Sequence, residues 1–165
     1  MHIYLLRHGI AEDGGPSVPD HARALTEEGW KRLRKAAPAW RRLVPPPDRL
    51  WVSPLRRAQE TAEVLREAVG FRGELRTDEG LVPHASPNTL LAMLEAESLS
   101  RTGAVALVGH EPHLGYLLGL LLTGHPRHPV PLKKGMLVGV ETESIASMVG
   151  TLRFALGQKL AADLG

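Results

Sequence analysis

The chain has 165 residues, with 20 Lys and Arg against 18 Asp and Glu, and it contains no cysteine. One domain over residues 1–165 is expected at this length, and the missing cysteines exclude disulfides, thiolate catalysis and cysteine-held metals, a composition at ease in a reducing cytoplasm. A net charge of +2 and an aromatic content of 4% are too mild and too sparse for a nucleic-acid binder.

Residues 2–6 (His-Ile-Tyr-Leu-Leu) form an apolar run suited to a buried strand. It begins with no basic leader or small-residue cleavage site, so no signal peptide is expected. The run stops at Arg7-His8-Gly9, where Gly9 lets the backbone turn and leaves room for a close group. Residues 11–23 follow as a loop rich in Gly, Pro, Asp and Ser, long enough to suggest a functional loop. Thr26 then caps a helix whose first turn carries Glu27 and Glu28. Trp30, Leu33, Ala37, Trp40 and Val44 recur at helical spacing as its buried stripe. Pro38 falls inside that pattern and is expected to kink or shorten the helix, and Pro45-Pro46-Pro47 ends it.

Residues 49–52 read as a second strand, with Ser53 as N-cap and Pro54 as first residue of the next helix. Leu55, Ala58, Ala62, Leu65 and Val69 form its stripe, and Gly70 stops it. A weaker, more polar strand is expected over residues 74–81, near a sheet edge. Ser86-Pro87 open a helix with Leu90, Leu91 and Leu94 inward. Residues 104–108 form a strongly apolar strand ending at Gly109-His110. Pro112 starts the helix carrying Leu114, Leu117, Leu118, Leu121 and Leu122, whose apolar run is too short to span a bilayer. A loop over 124–131 and two last strands over 136–140 and 150–156, flanking 141–147, complete the chain. This alternation predicts a three-layer α/β/α sandwich on a central, mostly parallel sheet.

Three strand ends carry matching chemistry: Arg7-His8, then Ser53 with Arg57 one turn into its helix, then His110. Right-handed connections bring all three to one rim, with helix starts near Pro54 and Pro112. Helix starts offer free N–H groups and positive potential, and guanidinium groups match phosphate oxygens in pairs. A pocket for a tetrahedral dianion is therefore expected. No metal is expected, because His8 and His110 lack a carboxylate at ligand spacing and the arginines repel cations. With no phosphate-cradling GxxxxGK[ST] loop and no GxSxG elbow, histidine is the natural nucleophile towards phosphorus.

Arg7-His8-Gly9, Ser53-Pro54-Leu55-Arg56-Arg57-Ala58 with Thr61, and Gly109-His110 resemble the three signatures of the histidine phosphatase (phosphoglycerate mutase-like) superfamily. Asp20-x-x-Arg23-x-Leu25-Thr26-x-x-Gly29 and the short length are most similar to its SixA-type phosphohistidine phosphatase branch. The resemblance implies a phosphoglycerate mutase-like fold without a large cap. It also implies that His8 becomes phosphorylated, that Arg7, Arg57 and His110 bind the phosphoryl group, and that no cofactor is needed. Arg56 is read as a solvated helix residue. Arg23 is implied as a further phosphate ligand, the alternative being a loop residue paired with Asp20. Many members carry a Glu as general acid shortly after the third strand; here Val82-Pro83-His84 stands in that place. His84 is then the candidate proton donor, or else a plain exposed loop histidine. Glu111 is expected to face solvent. His2, His113, His125 and His128 are expected to have no chemical role, and His21 is expected either to have none or to border the pocket.

The implied partner is a phosphorylated protein bearing phosphohistidine, with a small phosphate ester such as a sugar or glycerate phosphate as the rival. Neither nucleic acid nor membrane is an expected partner. A non-catalytic phosphate-binding module is the alternative from another class.

Overall fold

The computed structural model describes residues 1–16, 18–99, 102–125, 130–145 and 149–165. Six strands form one sheet: β1 (His2–Arg7), β2 (Arg49–Val52), β3 (Leu75–Thr77), β4 (Ala104–Gly109), β5 (Leu137–Thr142) and β6 (Gly150–Leu156). Their order is β3-β2-β4-β1-β5-β6. The pairs β1–β4, β4–β2 and β2–β3 are parallel, while β1–β5 and β5–β6 are antiparallel. The mostly parallel sheet expected from the alternation is therefore present, with an antiparallel pair at one edge.

Alternation along β1 builds the three layers. Tyr4 and Leu6 point to a core shared with α1 (Glu27–Leu43), α2 (Arg56–Val69) and α5 (Gln158–Leu164). Ile3 and Leu5 point to the opposite core, filled by α3 (Pro87–Leu99) and α4 (His113–Thr123). Both faces of the strand are dry, which is why the sequence run is continuously apolar.

Several local expectations needed correction. Pro38 does not cut α1 short: the helix runs on to Leu43, held beneath the proline by buried Leu33, Ala36, Ala39 and Trp40. The buried stripe is Gly29, Leu33, Ala36, Ala39 and Trp40, followed by buried Val44 at the C-cap as expected, with Trp30 and Ala37 only partly covered. The second helix begins at Arg56 and not at Pro54: Leu55 keeps an extended backbone as its cap, and the Ser53 hydroxyl holds the Leu55 N–H at 3.3 Å while also bonding His110. The edge strand β3 ends at Thr77, where Asp78 accepts the Gly80 N–H at 2.6 Å and bends the chain into a short 3-10 turn, Glu79–Leu81. The short helix α5 was not anticipated. Parts of the expected 124–131 and 141–147 segments, including His128, lie outside the described residues. Among the described residues no helix is long and apolar enough to cross a membrane.

Candidate active site

Strand register brings the site together. Arg7 lies opposite Gly109 across β1–β4, and Val52 lies opposite Val108 across β2–β4. The next residues, His8, His110 and Ser53, therefore emerge side by side at the carboxyl rim of the sheet. Backbone bonds continue the register, from His8 N–H to the Gly109 carbonyl at 3.0 Å and from Ser53 N–H to Val108 at 3.0 Å. The chain leaves β1 for α1 on one face and β4 for α4 on the other. That divergence opens a crevice between the two strands, where α/β sheets place ligands.

The two imidazoles face each other with ring centroids 4.9 Å apart and planes tilted by 51°. Both are buried. The His8 Nδ1–H donates to its neighbour's carbonyl, Gly9 O, at 2.7 Å. That bond places the proton on Nδ1 and leaves Nε2 with a free lone pair. His110 Nε2 meets the Ser53 hydroxyl at 2.8 Å, and Ser53 Oγ also accepts the Leu55 N–H at 3.3 Å. The hydroxyl has one proton to give and two lone pairs, so it anchors His110 Nε2 while holding the Leu55 N–H. His110 Nδ1 is buried and finds no partner among the described protein groups.

The arginines frame this pair. Arg57, almost wholly buried in the first turn of α2, gives NH1 to the Asp20 carbonyl at 2.7 Å and NH2 to the Asp20 carboxylate at 3.0 Å. Arg7 gives NH1 to the Leu132 carbonyl at 2.7 Å, while its buried Nε is unpartnered. Burial pushes the His8 pKa down to about 4; the Gly9 carbonyl opposes this, and the Arg57, Arg7 and Lys134 cations reinforce it. Burial pushes His110 down to about 2, reinforced by His8, Arg57 and Arg7 and opposed by Asp20. Both rings are therefore neutral at pH 7, in a strongly positive field. Two guanidinium groups, one with a buried unpartnered Nε, an unpartnered His110 ring nitrogen and the His8 lone pair suit a phosphoryl group under nucleophilic attack.

The model of the histidine phosphatase superfamily (branch 1) matches residues 3–82. A Haemophilus influenzae phosphohistidine phosphatase SixA homolog is 30% identical over 129 residues, covering 73% of this chain and 77% of the relative. The chain belongs to the histidine phosphatase superfamily. An uncharacterised protein of Picosynechococcus sp. is 33% identical over 142 residues, covering 86% of each. The fold is that of the protein histidine phosphatase SixA solved with tungstate: TM-score 0.86, 24% identity, all of both chains covered. Membership of this superfamily makes the chain a phosphatase.

Of the residues marked out by sequence, His8, His110, Arg7 and Arg57 lie together at the rim. Arg23 takes the arrangement of the alternative reading: NH1 pairs with Asp20 at 2.9 Å and Nε donates to the Glu12 carbonyl at 2.7 Å. Because Asp20 also holds Arg57, Arg23 is linked to the site through one shared carboxylate. His84 lies in an exposed turn beyond Leu81, with no hydrogen bond or ring contact to the four converging residues. Arg56 is exposed and pairs with Glu60 at 2.9 Å, as its solvated reading required.

Glu111 departs from expectation. Its side chain is half-buried, with Oε1 accepting the Leu132 N–H at 3.0 Å. Burial raises its pKa, against the pull of the Leu132 N–H and Arg7. Glu111 and Arg7 thus grip opposite ends of the Leu132 residue, so the 130–132 segment positions Arg7. His113, expected to be idle, braces α4 against the Gly80 carbonyl at 2.8 Å. Thr61 accepts the Gly9 N–H at 3.1 Å and donates to the Arg57 carbonyl at 2.7 Å, tying the two motifs together. Its place four residues after Arg57, on the same helix face, was the available signal. Asp20 had a similar signal in its three-residue spacing to Arg23.

Proposed function

We propose that the chain is a metal-independent phosphatase that hydrolyses protein phosphohistidine through a phosphorylated His8. The observation that carries this is the neutral His8 ring, locked by Gly9 with Nε2 free, 4.9 Å from His110. In the proposed reaction Nε2 attacks phosphorus in line, forming the N–P bond while the substrate's N–P bond breaks. The departing imidazole nitrogen keeps the bonding pair and takes a proton from His84 or from solvent. Arg7, Arg57 and His110, with Arg23 supporting through Asp20, hold the phosphoryl oxygens and offset their charge. Water then attacks the phosphorus, releasing phosphate and restoring neutral His8.

The substrate assignment draws support from the SixA homolog's stated activity and from the lack of a carboxylate after Leu81. An imidazole leaves more readily than an alkoxide, so a strong general acid is less needed. A panel of a phosphohistidine protein against sugar and glycerate phosphates tests this. The expected result is a kcat/KM highest for phosphohistidine, insensitive to chelators and inhibited by vanadate. Preference for a small ester, or loss of activity with chelator, would overturn the reading. Full phosphohistidine turnover by His84→Gln would assign the proton to solvent.

A further inference from the structure

We propose that a basic cleft beside the active site docks an acidic segment of the protein substrate, next to its phosphorylated residue. This deepens the protein-substrate reading above and rests on it. The cleft, of about 910 Å³, lies between α1, α5 and the turn that precedes β5. Arg32 and Lys35 enter it from α1, Lys159 from α5, and Lys133 and Lys134 from the turn. The chain has only five lysines, at 31, 35, 133, 134 and 159, and four of them line this cleft.

The turn is built to hold that charge beside His8. Gly135 has φ +68°, and its N–H is shared by the carbonyls of Arg7 and His8, each at 3.1 Å. A Cβ at Gly135 would stand 2.4 Å from Gln158 Nε2, so α5 closes on the turn from the other side. Lys133 and Lys134 are thereby clamped between the reactive strand end and the start of α5. Lys134 is near enough to His8 to help depress its pKa.

Most of the positive charge is uncommitted. Arg32 is paired with Glu28 at 2.7 Å, but among the described residues none of the four lysines lies within ion-pair distance of a carboxylate. Five cations face only Glu28 and Asp163 across the cleft. Like charges gathered this way repel one another, and a polyanion relieves the repulsion while being steered to the site.

The lining favours a peptide over a nucleic acid. It holds no aromatic side chain on which a base could stack. It does hold Leu160, which is 55% exposed and offers an apolar contact between the charges. The lysines come from three separate elements of the lining, α1, the turn before β5 and α5, which suits several carboxylates better than one phosphate.

The test uses fluorescence anisotropy at low salt with the full chain. The probes are an unphosphorylated Asp/Glu-rich peptide, a neutral Gly/Ser/Asn peptide and a single-stranded DNA of matched charge. The acidic peptide is expected to bind about tenfold tighter than the neutral one, a gap that a few exposed ion pairs supply. It should weaken with added salt. Lys35→Glu/Lys133→Glu/Lys159→Glu should erase the gap while turnover of p-nitrophenyl phosphate persists, which also reports that the variant is folded. Equal binding of the two peptides by the parent chain, or an undiminished gap in the variant, overturns the proposal. DNA binding as tight as the acidic peptide assigns the cleft to nucleic acid and overturns it too. Phosphohistidine turnover is measured separately on phosphorylated versions of both peptides. Acidic-peptide binding without that turnover refutes the substrate reading, whereas turnover without charge preference refutes the docking cleft.

Discussion

Arg57 is clamped by Asp20 at two points, NH1 on the carbonyl at 2.7 Å and NH2 on the carboxylate at 3.0 Å. The same carboxylate pairs with Arg23 at 2.9 Å and is itself 59% exposed. Partial burial pushes the Asp20 pKa up, but hydrogen bonds from Arg23 and Arg57 outweigh it and hold the group below its ordinary value. A carboxylate this firmly ionised is a poor proton donor. It is an internal anion on an arginine assigned to bind phosphate.

Asp20→Asn should therefore tighten inorganic phosphate and vanadate. Removing one partly solvated negative charge near the site is worth roughly 1 kcal/mol, or about fivefold in the inhibition constant. Competitive inhibition assays at constant ionic strength measure this. Weaker inhibition in the variant would mean that Asp20 chiefly orients Arg57 and does not compete with phosphate.

Ser53→Ala tests the anchoring of His110. Without the hydroxyl, His110 Nε2 loses its hydrogen-bond partner and the ring loses a contact that fixes its orientation. One hydrogen bond of this kind is worth about 1–1.5 kcal/mol, so kcat/KM should fall about tenfold with the fold intact. Unchanged kcat/KM would show that His110 is oriented by other contacts.

The two neutral histidines make stability pH-dependent. Their folded pKa values, about 4 and about 2, lie below the ordinary 6.5. Between these limits the unfolded chain binds protons that the folded chain refuses, so stability is full above pH 7 and falls as pH drops through 6.5 towards 4. His8 alone should cost about 2 kcal/mol at pH 5. Urea titrations at pH 7 and pH 5 would read this as a lower midpoint at pH 5. The His8→Ala variant should lose less over the same interval. Identical losses in the two proteins would contradict a neutral buried His8.

Gly29 explains why a glycine follows three residues after the helix cap. Thr26 Oγ1 accepts the Gly29 N–H at 3.0 Å, and a Cβ on Gly29 would stand 2.2 Å from the Ile10 carbonyl oxygen. Backbone cannot yield as a flexible side chain can, so Gly29→Ala should cost about 2–3 kcal/mol through overpacking. Thermal denaturation checks this; a melting temperature within a degree of the parent would show that α1 can move off the loop.

The motif residues were legible because strand ends and helix starts are local. A continuous apolar run fixes β1, and its register with β4, together with that of β4 with β2, then forces His8, His110 and Ser53 onto one rim. What escaped reading depends on contacts between distant segments. Arg7 is positioned by the carbonyl of Leu132, 125 residues away, and Glu111 grips the same residue's N–H. No local pattern announces either contact. Ser-Pro before an apolar helix has the form of an N-cap, yet the cap falls at Leu55, and the Ser53 hydroxyl is shared between the Leu55 N–H and His110, a residue no local pattern brings near. The short α5 carries too few apolar residues to show a period, and it is held by docking against α1.

Rapid quench of the enzyme with radiolabelled phosphohistidine substrate addresses the covalent step directly. The account predicts an acid-labile, alkali-stable label that appears within one turnover, maps to His8 and is absent from His8→Ala, which also loses turnover. Label on another residue, or full turnover by His8→Ala, would contradict it.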